Sequence, residues 1–389
     1  MAAAKDGLAA GADGLGALQT PCLLLDEAKL AANLSGMRAQ VERHGVAFRP
    51  HLKTAKSIDV ALMAMTGPGG PATVSTLKEA EYFAERGVRD LTYAVGIAPH
   101  KLDRVGTIRR RFGADLAVIL DSLAQAEAVS EWSRRTGDRL PVFIEVDPDG
   151  HRSGVKPGDA DLLRGIGQRV AAGAELRGVL LHAGESYGLS DPEALAEAAE
   201  GERAAALQAA ETLMAAGLPC PVVSVGSTPT ASHARHLDGI TEVRAGVYMF
   251  GDLVQAGIGS CAVGDIAVSV LASVIGHRPD KGWIITDAGW MAMSRDRGTA
   301  AQAVDQGYGL VCDRAGKPYD DLIVAQANQE HGVLALRQGS GAQRPDLPVG
   351  TLVRILPNHA CATAAQYHCY HVLDRDGRAA AVWPRINGW

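Results

Sequence analysis

Between residues 46 and 248 the chain alternates short, β-branched apolar runs with longer Ala-rich stretches in which apolar positions recur at helical spacing. The runs are VAFRPHL (46–52), ATVST (72–76), LTYAV (91–95), LAVIL (116–120), PVFIEV (141–146), LRGVLLHAG (176–184), VVSVGS (222–227) and EVRAGVY (242–248). The stretches between them, such as 77–86 and 192–216, are built from good helix formers. Strand–helix alternation implies parallel strands joined by crossover helices. Eight such units over about 200 residues predict a TIM-type (β/α)8 barrel, with an open doubly wound sheet as the alternative.

Beyond about residue 265 the texture changes. Runs at 268–275, 283–287, 352–356 and 370–373 predict strands separated by Gly, Asp and Pro turns, with little helical periodicity. The fold expected is therefore an α/β barrel followed by a C-terminal β domain. Residues 20–26 (TPCLLLD) read as a strand donated to that domain. The expected division is a disordered leader over 1–18, a joining strand and lead-in over 19–35, a barrel over 36–262 and the β domain over 263–389.

Composition narrows the function classes. With 389 residues the chain exceeds one ordinary core. At 47% hydrophobic and 21% charged it reads as globular, and a formal net charge of −6 offers no field for nucleic acid or anionic membrane. No apolar run is long enough to span a bilayer. Six scattered cysteines, with no basic-then-apolar start, point to reduced thiols in a cytoplasmic protein.

In barrels of this kind chemistry gathers on the loops that follow the strands, and the polar groups here gather there. Lys53 ends the first run; a lysine aimed into a barrel mouth is partly desolvated, which frees its amine for covalent chemistry with a carbonyl. The plain alternative is a solvated lysine. Gly226, Ser227 and Thr228 combine a flexible backbone with two hydroxyls suited to a phosphate, at the seventh loop, where such barrels often bind one. Gly246 and Tyr248 follow the eighth strand and would complete the cup. Arg152, in a turn-rich loop after the fifth strand, offers a fork of donors, or simply pairs with Asp147 or Asp149. Tyr187 would line the pocket or reach a ring nitrogen. His359 and Cys361 stand two apart in a segment expected to be extended, so both would face one ion while leaving positions for water and substrate. The alternative is a buried cysteine beside a solvated histidine.

Together the segments TPCLLLD, RPHLKTAKS, VSTLKEAE, DGHRSGV, HAGESYG, VGSTPT, TEVRAGVY, DAGWMAMSRDRGT, NQEHG and PNHACAT resemble the D-serine dehydratase and D-threonine aldolase family of fold-type III pyridoxal-phosphate (PLP) enzymes. They run from residue 20 to 363. The resemblance implies an alanine-racemase-like fold, with Lys53 as the lysine that carries PLP. It places Gly226, Ser227, Thr228, Gly246 and Tyr248 at the phosphate, Tyr187 near the pyridine nitrogen and Arg152 near the phenolic oxygen. It makes His359 and Cys361 ligands of a divalent metal: zinc or manganese, with magnesium or cobalt as further options. It also implies a homodimer.

The activity implied is a lyase acting on 3-hydroxy-D-amino acids, first of all a dehydratase giving a 2-oxo acid and ammonia. Several aldolases of the family carry Asp where this chain has Cys361, which favours dehydration over retro-aldol cleavage to glycine and an aldehyde. A non-catalytic PLP carrier is the alternative of another class.

Overall fold

The computed structural model describes residues 14–150 and 152–389. The chain divides into two compact units. One holds Leu34–Tyr248 with the short pieces Ile258–Ser260 and Gly388–Trp389. The other holds the described chain up to Asn33, Met249–Gly257 and Cys261–Asn387.

The first strand, β1 (Cys22–Asp26), belongs to the second unit. The first unit is built on β2 (Ala47–Pro50), β3 (Ala72–Val74), β4 (Asp90–Gly96), β5 (Asp115–Leu120), β6 (Pro141–Val146), β7 (Glu175–Leu181), β8 (Val222–Val225) and β9 (Glu242–Ala245). All neighbours are parallel, in the order β2-β9-β8-β7-β6-β5-β4-β3. The two ends of this ladder meet where His51 bridges Thr73 and the Leu52 N–H donates to the Thr73 carbonyl at 2.8 Å, which closes the barrel. Each strand matches one of the eight apolar runs. They are continuous rather than alternating because both faces are covered: all six residues of β6 are buried.

The connecting helices start on side-chain caps. Thr76 accepts from the Glu79 N–H, Ser122 from Gln125, Asp159 from Leu162 and Asp191 from Ala194, the last with Pro192 at the first helical position. Each cap contributes about 1 kcal/mol. The 24-residue helix Pro192–Ala215 turns a stripe of Leu195, Ala199, Glu202, Ala206, Ala209 and Leu213 inward, every member buried. One of these, Glu202, is a carboxyl group whose pKa burial raises.

The second unit contains β10 (Val268–Arg278), β11 (Trp283–Thr286), β12 (Leu310–Cys312), β13 (Pro318–Ala327), β14 (Gly332–Leu336), β15 (Leu352–Leu356), β16 (Cys369–Leu373) and β17 (Ala379–Pro384). With β1 they form a nine-stranded sheet, order β11-β14-β13-β12-β15-β10-β1-β16-β17. Strand β1 sits inside it, antiparallel to β10 and parallel to β16, as the apolar run 22–25 requires.

Two boundaries differ from the sequence expectation. Of the leader expected to be disordered, residues 1–13 lie outside the described residues, but residues 14–18 are ordered: Leu15 is buried with Cys22, Leu24, Leu271 and Leu373. Met249–Gly257, assigned to the barrel by pattern, belongs to the β unit. There the Phe250 ring meets Tyr370 edge-on at 5.6 Å, and the Phe250 carbonyl takes the Ala267 N–H at 2.7 Å.

Candidate functional site

The turn after β2 carries Lys53, three residues beyond the strand's last residue rather than at its end. Its neighbours fix it. The Lys53 N–H lies 3.4 Å from Nδ1 of His51, and the His51 Nε2 lies 3.4 Å from the Ser75 hydroxyl. Three residues on, Lys56 adopts a left-handed backbone (φ 49°) and pairs at 3.1 Å with the fully buried Glu79, which also takes the Ser75 N–H at 3.0 Å.

Lys53 stands among other basic groups. Burial, then the Lys53 and Arg244 charges, push His51 well below the ordinary histidine value. His182, after β7, is pushed down to about 3, first by burial and further by Lys53, Arg152 and Arg244. It is therefore a neutral imidazole at pH 7, and its Nδ1–H donates to the Gly226 carbonyl at 2.9 Å. Tyr187 stacks at a tilt on the same ring, 6.2 Å between centroids. Arg152 is exposed and sits in the field of Glu145 and His182. Arg244 is buried, which lowers it to about 10, and donates to the Ser224 hydroxyl at 2.6 Å and to the Leu181 carbonyl.

Strand β8 is followed by Gly226, whose φ of 138° suits glycine. A Cβ there would fall 1.9 Å from the Arg244 carbonyl oxygen. A Cβ on Gly246 would meet the His51 carbonyl at 3.1 Å and the Thr54 hydroxyl at 3.2 Å. Ser227 caps the short helix Thr228–His233 and exchanges hydrogen bonds with Thr230. Its hydroxyl lies 3.0 Å from that of Ser186, and Thr228 Oγ1 accepts the Tyr248 N–H at 3.3 Å. Behind these loops lies Glu202. Its Oε1 accepts the N–H groups of Ala183 (3.0 Å) and Gly226 (2.9 Å), and its Oε2 accepts the Thr230 hydroxyl at 2.8 Å. The Tyr248 hydroxyl is buried with no hydrogen-bond partner among the described residues, an oxygen that an anion in the cup would satisfy.

In the β unit, β15 runs into Pro357-Asn358-His359. The segment is not extended throughout: His359 is the extended N-cap (φ −135°, ψ 105°) and Cys361 lies inside the helix Ala360–Ala364. The pairing of the two side chains nevertheless persists, because Cys361 hydrogen-bonds the imidazole. Asp296 Oδ2 takes its Nδ1 at 2.8 Å. Asp296 first and Cys361 second raise His359 to about 11. The loop is held by Asp252, which accepts the Ala360 N–H at 2.9 Å and is pushed up to about 6 by burial. Among the described residues no group of three or more His, Cys, Asp and Glu is arranged to hold a metal, so a metal at His359 and Cys361 would keep open positions.

Residues 25–254 match the family "Alanine racemase, N-terminal domain" and residues 267–373 match "Putative serine dehydratase domain". The D-threo-3-hydroxyaspartate dehydratase of Delftia sp. (strain HT23) is 53% identical over 97% of this chain and 100% of that protein. Its solved structure superposes with a TM-score of 0.93, covering 96% of this chain and 99% of the other. The chain belongs to the D-serine dehydratase and D-threonine aldolase family. It is a lyase of fold-type III. A D-serine dehydratase from Dictyostelium discoideum is 28% identical over 94% of this chain and 96% of its own length. The structure of D-threonine aldolase from Filomicrobium marinum is 26% identical with a TM-score of 0.79, over 95% and 96% of the two chains.

Fold-type III enzymes of this family use PLP, and the barrel loops fit it. They offer a lysine beside neutral imidazoles, a cup of hydroxyls on loops that two glycines let pack closely, and the unmatched Tyr248 oxygen. The soft thiol and imidazole of Cys361 and His359 likewise suit a divalent transition metal. With full-length relatives that are dehydratases and an aldolase, the non-catalytic carrier reading has no support.

The sequence reading placed His51 and His182 at strand ends without a role and did not single out Glu202 or Asp296. Glu202 left a trace: a charged residue on an otherwise apolar helical stripe. Asp296 lay within the matched segment DAGWMAMSRDRGT, flanked by arginines that make it read as surface charge.

Proposed function

We propose that the protein is a PLP- and divalent-metal-dependent dehydratase of 3-hydroxy-D-amino acids, with D-threo-3-hydroxyaspartate or D-serine as substrate, yielding a 2-oxo acid and ammonia. The observation that carries the reading is the full-length, 53% identity to a D-threo-3-hydroxyaspartate dehydratase. Solved structures of that relative include a histidine-to-alanine and a cysteine-to-alanine mutant, the altered positions two apart, the latter in a metal-free form. His359 and Cys361 have the same spacing.

In this reading Lys53 would hold the cofactor, and its amine would take the α-proton of the substrate. Ser227, Thr228 and Tyr248 would hold the phosphate on loops that Gly226 and Gly246 shape, with Tyr187 on the side of the pyridine nitrogen and Arg152 on the side of the phenolic oxygen. His182, neutral and tied to Gly226, keeps its Nε2 lone pair for the site. His359 and Cys361 would hold the metal. The cofactor would supply an electron sink and the metal Lewis acidity toward the β-hydroxyl. Loss of the α-proton and β-hydroxide as water leaves an enamine; its hydrolysis takes the water back and frees ammonia.

Retro-aldol cleavage remains the second reading, favoured by the aldolase relatives. The six free thiols support a reducing, cytoplasmic setting, and a homodimer is part of the proposal. With PLP and Mn2+ supplied, a 3-hydroxy-D-amino acid should release ammonia, and EDTA should stop it. Ammonia release that survives exhaustive chelation would remove the metal from the account.

A further inference from the structure

The matched segment around residues 288–299 takes no part in the roles above, yet its loop is fastened to the metal-binding loop residue by residue. Asp296 Oδ2 meets His359 Nδ1 at 2.8 Å. The other oxygen, Oδ1, accepts the Gly298 N–H at 2.7 Å, so the carboxylate cannot swing away without losing a backbone partner. Asn358, next to His359 in the chain and 2% exposed, directs most of its amide bonds at the same segment. Its Nδ2 donates to the Asp296 carbonyl (3.1 Å) and to the Gly307 carbonyl (2.7 Å), and its Oδ1 accepts the Thr299 hydroxyl (3.1 Å). The loop also carries backbone strain. Ser294 has φ 78°, outside the region non-glycine residues prefer, and its hydroxyl accepts the Asp296 N–H at 3.2 Å. Strain held in place by several hydrogen bonds around one carboxylate marks that carboxylate as positioned for a purpose.

We propose that Asp296 is the positioning residue of the metal centre: it holds the Nδ1–H of His359 and thereby presents Nε2 as the coordinating nitrogen. A metal-ligating histidine commonly gives its second N–H to a carboxylate, which fixes the tautomer and ring orientation and raises ligand basicity. The His359 side chain is 44% exposed, so Asp296 covers one nitrogen without enclosing the ring. The inference rests on the proposed role of His359 and Cys361 as metal ligands.

The test is Mn2+ binding to PLP-loaded protein, followed by the loss of the free-ion paramagnetic resonance signal, for the unaltered chain, Asp296→Ala and Asp296→Asn. Expected is a 10- to 100-fold weaker affinity for Asp296→Ala. Asp296→Asn, which keeps an acceptor but not the charge, should fall between, and the visible absorbance of bound cofactor should stay unchanged in both. If folded Asp296→Ala binds Mn2+ within threefold of the unaltered protein, the positioning role is wrong while the metal reading stands. If the unaltered protein itself binds no Mn2+, the metal reading fails and takes this inference with it.

Discussion

Glu202 holds Gly226 by its backbone: the buried carboxylate, reaching in from the middle of helix Pro192–Ala215, accepts the glycine N–H at 2.9 Å. The same oxygen holds the Ala183 N–H, so one side chain ties the loop after β7 to the loop after β8. That tie is what places the Ser186 and Ser227 hydroxyls 3.0 Å apart. Glu202→Ala strands two buried donors, at about 1–3 kcal/mol each. It should lower stability in urea denaturation and weaken PLP binding at least tenfold. Glu202→Gln, which keeps the shared acceptor, should recover most of both.

Acid should destabilise the barrel through its histidines. The folded-state value of His182 is depressed to about 3 from an ordinary 6.5, with burial the main cause, so the unfolded chain binds the extra proton between these limits. Stability is therefore full above about pH 6.5 and falls as pH drops toward 3. His51 is depressed as well and adds to the same window from its upper end. His182→Gln should flatten the slope of unfolding free energy against pH in that window, as read from urea melts at stepped pH. An unchanged slope would contradict the buried, neutral assignment.

The barrel was legible in the sequence and the β unit only partly so. Eight apolar runs gave eight strands because every strand is covered on both faces, which leaves an unbroken signal. In the β unit, β13 opens with Pro318, Tyr319, Asp320 and Asp321, and β17 alternates half-buried and exposed positions, so neither stood out from turns. Strand β12 has only three residues, and β14, an apolar run as long as β15, was not read as a strand. The sequence proposes site residues where a residue type announces its chemistry, as at Lys53 and in the His-x-Cys pair. The site was not legible where function depends on a partner distant in sequence. Asp296 is 63 positions from His359 and Glu202 is 24 from Gly226, separations that only the fold brings together.

Lys53→Ala should abolish the visible absorbance of bound cofactor while leaving the far-ultraviolet circular dichroism of the barrel intact. The lysine lies in a turn and is half-buried. Retention of the absorbance would move the cofactor's attachment elsewhere.

Cys361→Ala should lose metal but keep cofactor. The thiol sits in the helix Ala360–Ala364, whose buried residues are Ala360, Thr363 and Ala364, so alanine fits the backbone without disturbing that packing. Metal analysis after gel filtration should fall from near one equivalent per chain to a small fraction, with the cofactor absorbance preserved. Full metal occupancy in this variant would remove Cys361 from the ligand set.

Product analysis with D-threo-3-hydroxyaspartate, PLP and Mn2+ decides which reaction the protein performs. A dehydratase gives oxaloacetate and ammonia in equal amounts, the expected result; glycine and glyoxylate in their place would overturn the dehydratase reading and make the protein an aldolase.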